Sequence, residues 1–168
     1  LFVEYGVNRG LRDLNGKGVL TGLTTISKIT SFKDDENGKR MPCDGELWYR
    51  GYNVQNLIKS LSPDEFGFEK TAYLLLFGQM PTPEEEKEFA GVLGKSRTLP
   101  SNFTRDVIMK APSKDIMNSM TRSILTLASY DDLTSDSSVA NNIRQCINLI
   151  ATFPMLAVYG YHAYNHYE

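Results

Sequence analysis

The sequence predicts a mainly α-helical chain with a small antiparallel β-sheet at its N-terminal end. Three observations carry that reading. Between residues 19 and 50, β-branched and aromatic runs flank a charged Asn-Gly turn. From Asn53 onward, apolar residues recur at helical spacing behind well-marked capping residues. Residues 139–167 then form one long apolar and aromatic stretch with a single proline, Pro154.

The 168 residues are enough for one domain with a substantial core. With 41% apolar and 23% charged residues, the chain has a globular rather than a disordered composition. A net charge of −2 provides no electrostatic footprint for nucleic acid or an anionic membrane, so neither is expected as a partner. There is no signal peptide and no apolar run long enough to span a bilayer. Two cysteines without CxxC spacing, Cys43 in a loop-like stretch and Cys146 in a helix-like one, point to a reduced, cytoplasmic protein. The chain starts at Leu1 and stops at Glu168 directly after "MLAVYGYHAYNHY", without a helix-terminating Gly or Pro. We expect a fragment of a longer protein.

The glycines between Gly6 and Gly22 invite comparison with phosphate-binding loops, and the spacing fails. "GLRDLNGKG" holds five residues before its Gly-Lys where a P-loop needs four, and "GKGVLTG" precedes a strand-like run instead of following one. Turns around a strand explain them. "VLTGLTTISKI", 19–29, reads as the first strand and "ELWYR", 46–50, as the second, with a long solvated loop at 32–44 that carries the Asn37-Gly38 turn. In the second strand Leu47 and Tyr49 fall on one face and Trp48, Arg50 and Tyr52 on the other. Gly51 is where the chain turns.

The helical part follows. Val54, Leu57, Ile58 and Leu61 form one stripe behind Asn53, whose side-chain oxygen can cap the helix. "SPDE", 62–65, and "TPEE", 82–85, each combine a hydroxyl cap, Pro at the first helical position and Glu three residues after the cap. The first opens a buried helix stopped at Gly78. The second opens a helix with acidic residues at its start that ends near Lys95 and Arg97. A short helix near 101–110 is stopped by Pro112. Residues 113–130 align Met117, Met120, Ile124, Leu127 and Ala128, and "DDLTSDSS", 131–138, reads as a mobile loop. In the last helix Val139, Ile143, Cys146, Ile147 and Ile150 align, with a kink expected at Pro154. Past the proline this helix is apolar nearly all round and needs partners on most sides. No repeat or linker divides the chain.

Chemistry is scarce. His162 and His166 stand at i, i+4, which places two imidazoles on one helix face as a zinc site requires. Ala163 and Tyr164 follow His162, so the HExxH pattern with its general base is missing, and a packed or solvated helix face is the preferred reading. There is no GxSxG elbow. The runs at 84–86 and 131–132 read as solvated carboxylates, and the methionines at 117 and 120 as core or interface. No residue is assigned a catalytic, cofactor-binding or metal-binding role.

Three stretches in series carry a resemblance. "RGLRDLNGKGVLTGLTTIS" with "GELWYRGYNVQNLI" resembles the opening of citrate synthases. "FEKTAYLLLFGQMPTPEEEKEF" resembles their next block, and "INLIATFPMLAVYGYHAYNHY" resembles their long helix with a central proline. The resemblance covers essentially the whole chain and suits a longer-looped bacterial type. It implies the N-terminal portion of a multi-helical large domain, with 1–52 as the small β region and 53–168 helical, cut before the catalytic region. It further implies an acyltransferase that condenses acetyl-CoA with oxaloacetate. In this family an Asp deprotonates the acetyl methyl group, histidines stabilise the enol and polarise the ketone, and arginines hold the carboxylates. The family's H-x-x-N-x-S-T-F and L-H-G-G-A-N type motifs occur nowhere here, and His162 and His166 match neither. The resemblance therefore implies an inactive fragment that binds no cofactor, with acetyl-CoA and oxaloacetate as substrates of the full-length parent. It also implies a homodimer formed through helices near 113–130 and 139–167. Alternatives are 2-methylcitrate synthase, which would use propionyl-CoA, a non-enzymatic helical interaction module, and a metal-binding protein built on the His162/His166 pair.

Overall fold

The computed structural model describes residues 1, 4, 5, 7, 12, 18, 19, 22–61 and 67–167. Most of the glycine-rich segment and the whole "SPDE" box at 62–65 lie outside the described residues. The chain forms two compact units, Leu1–Thr82 and Pro83–Glu168.

The first unit holds a three-stranded antiparallel sheet in the order β1-β2-β3, with β1 Ser27–Asp34, β2 Arg40–Tyr49 and β3 Tyr52–Asn53. The first strand therefore begins later than the sequence suggests. Ahead of it the Ile26 amide donates to Thr24 Oγ1 at 3.1 Å, a local bond that competes with sheet pairing. The expected long loop at 32–44 is instead mostly strand, and Cys43 sits in β2 rather than in a loop. Only residues 35–39 turn. Asp35 Oδ1 accepts the amides of Asn37 and Lys39 at 2.9 and 2.8 Å, and Gly38 supplies φ of 75°. Of the charges read as a solvated loop, Asp35, Glu36 and Lys39 stay in the exposed turn, whereas Lys33, Asp34 and Arg40 sit on the paired strands: Lys33 Nζ meets Glu46 Oε1 at 2.7 Å, and Arg40 lies over the Phe32 ring.

Arg50 and Gly51 form a two-residue turn between β2 and β3, with φ of 49° and 87° and Tyr49 paired to Tyr52. Positive φ at both positions is what a tight hairpin with the sheet's twist requires. Arg50 thus belongs to the turn and not to the strand. Helix α1, Val54–Ser60, begins as expected, with Asn53 Oδ1 accepting the amides of Gln55 and Asn56 at 3.0 and 3.3 Å. Leu57 is buried, whereas Ile58, on the same sequence stripe, is exposed. Helix α2, Gly67–Phe77, ends at Gly78, whose φ of 85° and amide bond to Leu74 O at 2.9 Å form a left-handed cap.

The second unit is helical: α3 Pro83–Ser96, a π-turn at Thr104–Ile108, α4 Ile116–Leu127, a short 3₁₀ turn at Ala128–Tyr130, and α5 Val139–Tyr167. At about 1.5 Å per residue, the 29 residues of α5 run roughly 43 Å and continue through Pro154. Phe103, Ile108, Leu156 and Ala163 form the buried cluster, with Met120, Ile124 and Leu127 of α4 packed on it.

Two sequence stripes prove narrower than they read. On α4, Met117 is 71% exposed, while Ser119 and Ser123 are buried. The reason is close approach: a Cβ at Gly160 of α5 would lie 3.6 Å from Ser119 Cβ, so this contact accepts only small residues. Ser123 satisfies its hydroxyl by donating to Ser119 O at 2.8 Å. On α5, Val139 and Cys146 are exposed, and the buried positions are Asn141, Ala151, Thr152, Leu156, Gly160 and Ala163.

Candidate functional site

Arg50 is the first side chain to place, because a lone arginine among aromatics can mark a binding site. Its Nε and Nη2 donate to Leu75 O at 3.3 and 2.9 Å. Leu75 lies in the last turn of α2, where carbonyls lack intrahelical partners and a cation is favoured. The guanidinium closes the end of a helix. A small cavity of about 330 Å³ beside it, lined in part by Thr25, Lys28 and Trp48, brings no second charged group to Arg50 except Lys28.

His162 and His166 lie on the exposed side of α5 and border a cavity of about 510 Å³ with Thr104, Met109 and Tyr159. The His162 ring meets Tyr161 edge-on at 5.6 Å. Among the described residues, no group of three or more His, Cys, Asp or Glu side chains gathers as a metal-ligand set. The carboxylates at 84–86 lie in the first turn of α3, where the helix dipole favours negative charge.

The most developed polar cluster corrects one sequence expectation: Asp131, read as part of a solvated carboxylate run at 131–132, is ion-paired and only partly exposed. Arg144 on α5 donates through Nη2 to both oxygens of Asp131, at 2.8 and 2.7 Å, and through Nε to Asn141 Oδ1 at 2.8 Å. Asn141, 5% exposed, gives its amide hydrogens to Leu133 O and Asp136 O at 2.8 and 2.7 Å. Segment 131–138, expected to be mobile, is therefore anchored to the first turns of α5. The hydrogen bond from Arg144 is the main reason the Asp131 carboxyl is held below the usual range. The Leu133 amide and Gln145 add to this effect, while partial desolvation opposes it. One local signal was readable: Ser138 precedes Asn141 by three residues, as an N-cap should, and the Asn141 amide reaches Ser138 Oγ at 3.3 Å. The Asp131–Arg144 pair spans 13 residues and has no periodic signature.

This cluster forms one wall of a cavity of about 540 Å³ within the second unit, whose floor is apolar. An ion-paired carboxylate with no nucleophile or imidazole beside it holds structure together; it does not form a general-base pair. None of the residues described above makes a nucleophile–base constellation.

Comparison with known proteins supplies what the geometry lacks. A family model described as "Citrate synthase, C-terminal domain" matches residues 13–168. The citrate synthase of Corynebacterium glutamicum is 29% identical over 146 residues, covering 86% of this chain and 30% of that protein. The 2-methylcitrate synthase 1 of the same organism is 28% identical, covering 83% of this chain and 32% of that protein. The chain thus spans about a third of the length of these curated relatives. Among solved structures, the citrate synthase of Thermoplasma acidophilum, in a ternary complex with carboxymethyl coenzyme A and oxaloacetate, superposes with a TM-score of 0.70. Its identity is 20%, and the match covers 93% of this chain and 35% of that one. The Pyrobaculum aerophilum citrate synthase gives 0.65 at 23% identity, covering 93% and 39%. These two likenesses establish the fold.

Proposed function

Because the chain belongs to the citrate synthase family, we propose that its 168 residues form the N-terminal scaffold of the large domain in an acyltransferase that condenses acetyl-CoA with oxaloacetate. The observation that carries this reading is the family match over residues 13–168, together with citrate synthases among the relatives. In this reading the proton-abstracting Asp and the enol- and ketone-stabilising histidines come from outside these residues. His162 and His166 take no part, and the segment binds no cofactor. The setting is the cytoplasm, consistent with two free cysteines and with the absence, among the described residues, of a helix long and apolar enough to cross a membrane. The full-length protein should release CoA thiol from acetyl-CoA only when oxaloacetate is present, while residues 1–168 alone should show no turnover. Turnover by the 168 residues would overturn the placement of the catalytic groups.

A second reading, propionyl-CoA in place of acetyl-CoA, is favoured by the 2-methylcitrate synthases among the relatives. Comparing kcat/KM for the two thioesters decides between them.

The proposal includes a homodimer formed through α4 and α5. Their outer sides expose Met117 and Leu125 on one helix and Val139, Val158 and Tyr161 on the other, at 51–75%. An apolar surface of this kind on two long helices is suited to a two-fold helical interface. Sedimentation of the full-length protein should give a dimer, and Leu125→Glu together with Val158→Glu should weaken it. A monomer in the unmutated protein would refute the assignment.

A further inference from the structure

We propose that His162, His166 and Met109 form a binding site for one soft, monovalent metal ion, copper(I), at the cavity of about 510 Å³ between α5 and the π-turn. The ion would tie two elements of the second unit together. It takes no part in acyl transfer, so the proposal does not rest on that reading.

All three side chains line the same cavity. The histidines stand one turn apart on one face of α5, where Cβ atoms at i, i+4 lie about 5–6 Å apart, and two imidazoles so placed can share one ion. Each ring has two nitrogens, so a hydrogen bond at one leaves the other for the metal. Ala163 is 5% exposed and forms the cavity floor next to His162.

Met109 reaches this face because a π-turn precedes it. Its amide donates to Thr104 O, five residues back, at 2.9 Å. On an α-helix, at about 100° per residue, positions five apart point about 140° away from each other. The wider turn brings Thr104 and Met109 to the same side, and both line the cavity. Met109 also packs on the Phe103–Ile108–Leu156–Ala163 cluster, which holds its thioether in place before any ion arrives.

The donor set selects the ion. Two neutral imidazoles and a thioether carry no charge, and the lining brings neither a carboxylate nor a thiol among the described residues. The carboxylate on the π-turn, Asp106, is held by Arg105 at 2.7 and 2.8 Å. Magnesium and calcium need several oxygen ligands, and structural zinc is almost always four-coordinate. A thioether beside imidazoles favours copper(I).

The test uses the full-length protein with copper(I), titrated anaerobically against a chromophoric copper(I) chelator, and with silver(I) and zinc(II) as further probes. A Cys43→Ser/Cys146→Ser variant removes two thiols that would compete, and one equivalent of copper(I) should still bind. Silver(I) should shift the ε-methyl NMR signal of Met109 and the ring signals of both histidines. His162→Asn, an exposed change, and Met109→Leu, a nearly volume-conserving one, should each weaken binding at least about tenfold. Thermal melting of the metal-free variants should stay close to that of the parent. Absence of the copper(I) equivalent, a Met109 signal unmoved by silver(I), or binding unchanged by either variant would overturn the proposal. Zinc(II) binding more tightly than copper(I) would overturn the assignment of a soft ion.

Discussion

Replacing Arg50 separates two energies that the native turn combines. In Arg50→Ala the side chain loses its paired donors to Leu75 O, at 3.3 and 2.9 Å, while the backbone must still hold φ near 49°. A hydrogen bond from a charged donor contributes roughly 1.5–3 kcal/mol. The favourable placement of a cation at a helix C-terminus adds about 0.3–1 kcal/mol. Their combined loss should destabilise the first unit by about 2–4 kcal/mol. Arg50→Gly loses the same bonds but removes a left-handed penalty of roughly 1–2 kcal/mol. Part of that gain is offset by the greater chain entropy of glycine, about 0.5–1 kcal/mol. Glycine should therefore be less damaging than alanine by about 0.5–1 kcal/mol, although it is the smaller side chain. Urea unfolding followed by circular dichroism measures both variants. Amide exchange at Gly78, whose N–H bonds Leu74 O, reports locally on the end of α2. Alanine equal to or more stable than glycine would refute the strain argument. Two near-neutral variants would refute the role of the Leu75 bond.

Further outcomes follow from the second unit. Leu156→Ala, at 1% exposure inside the Phe103–Ile108–Ala163 cluster, should cost about 2–5 kcal/mol in denaturant unfolding. Gly160→Ala should stabilise by about 0.5–1 kcal/mol, because the new Cβ meets Ser119 Cβ at an ordinary 3.6 Å and the helix loses a flexible residue. Gly160→Leu should instead destabilise by about 1–3 kcal/mol by forcing α4 and α5 apart, a reversal of sign that thermal melting will show. The Asp131 carboxyl, held low by Arg144, stabilises the 131–138 anchor at every pH above the ordinary aspartate value of about 3.9. That contribution is lost as pH falls through the lower folded value. NMR titration should place its midpoint below 3.9, and Arg144→Gln should return it toward that value.

Local features were legible in the sequence because few atoms decide them. Asn53 caps α1 through amides two and three residues away, Gly78 stops α2 by its own positive φ, and the Asn37-Gly38 turn closes on Asp35. The three family-like stretches were also readable, and they led to the family that the comparisons show. The candidate site was legible only in its residue types. No feature of the sequence near Arg50 points to a carbonyl 25 residues on, and the polar run at 131–138 gives no sign that Arg144 and Asn141 anchor it. The α4 stripe also misled, since Met117 is as apolar as Met120 yet stays outside. The sequence by itself determined where helices start, stop and repeat, because those preferences reside in neighbouring backbone groups and side chains. Which face is buried, and which charge meets which, was decided by tertiary structure, because it depends on how closely another segment approaches. At Ser119 and Gly160 that approach is close enough that two small residues take the buried position that apolar side chains would otherwise fill.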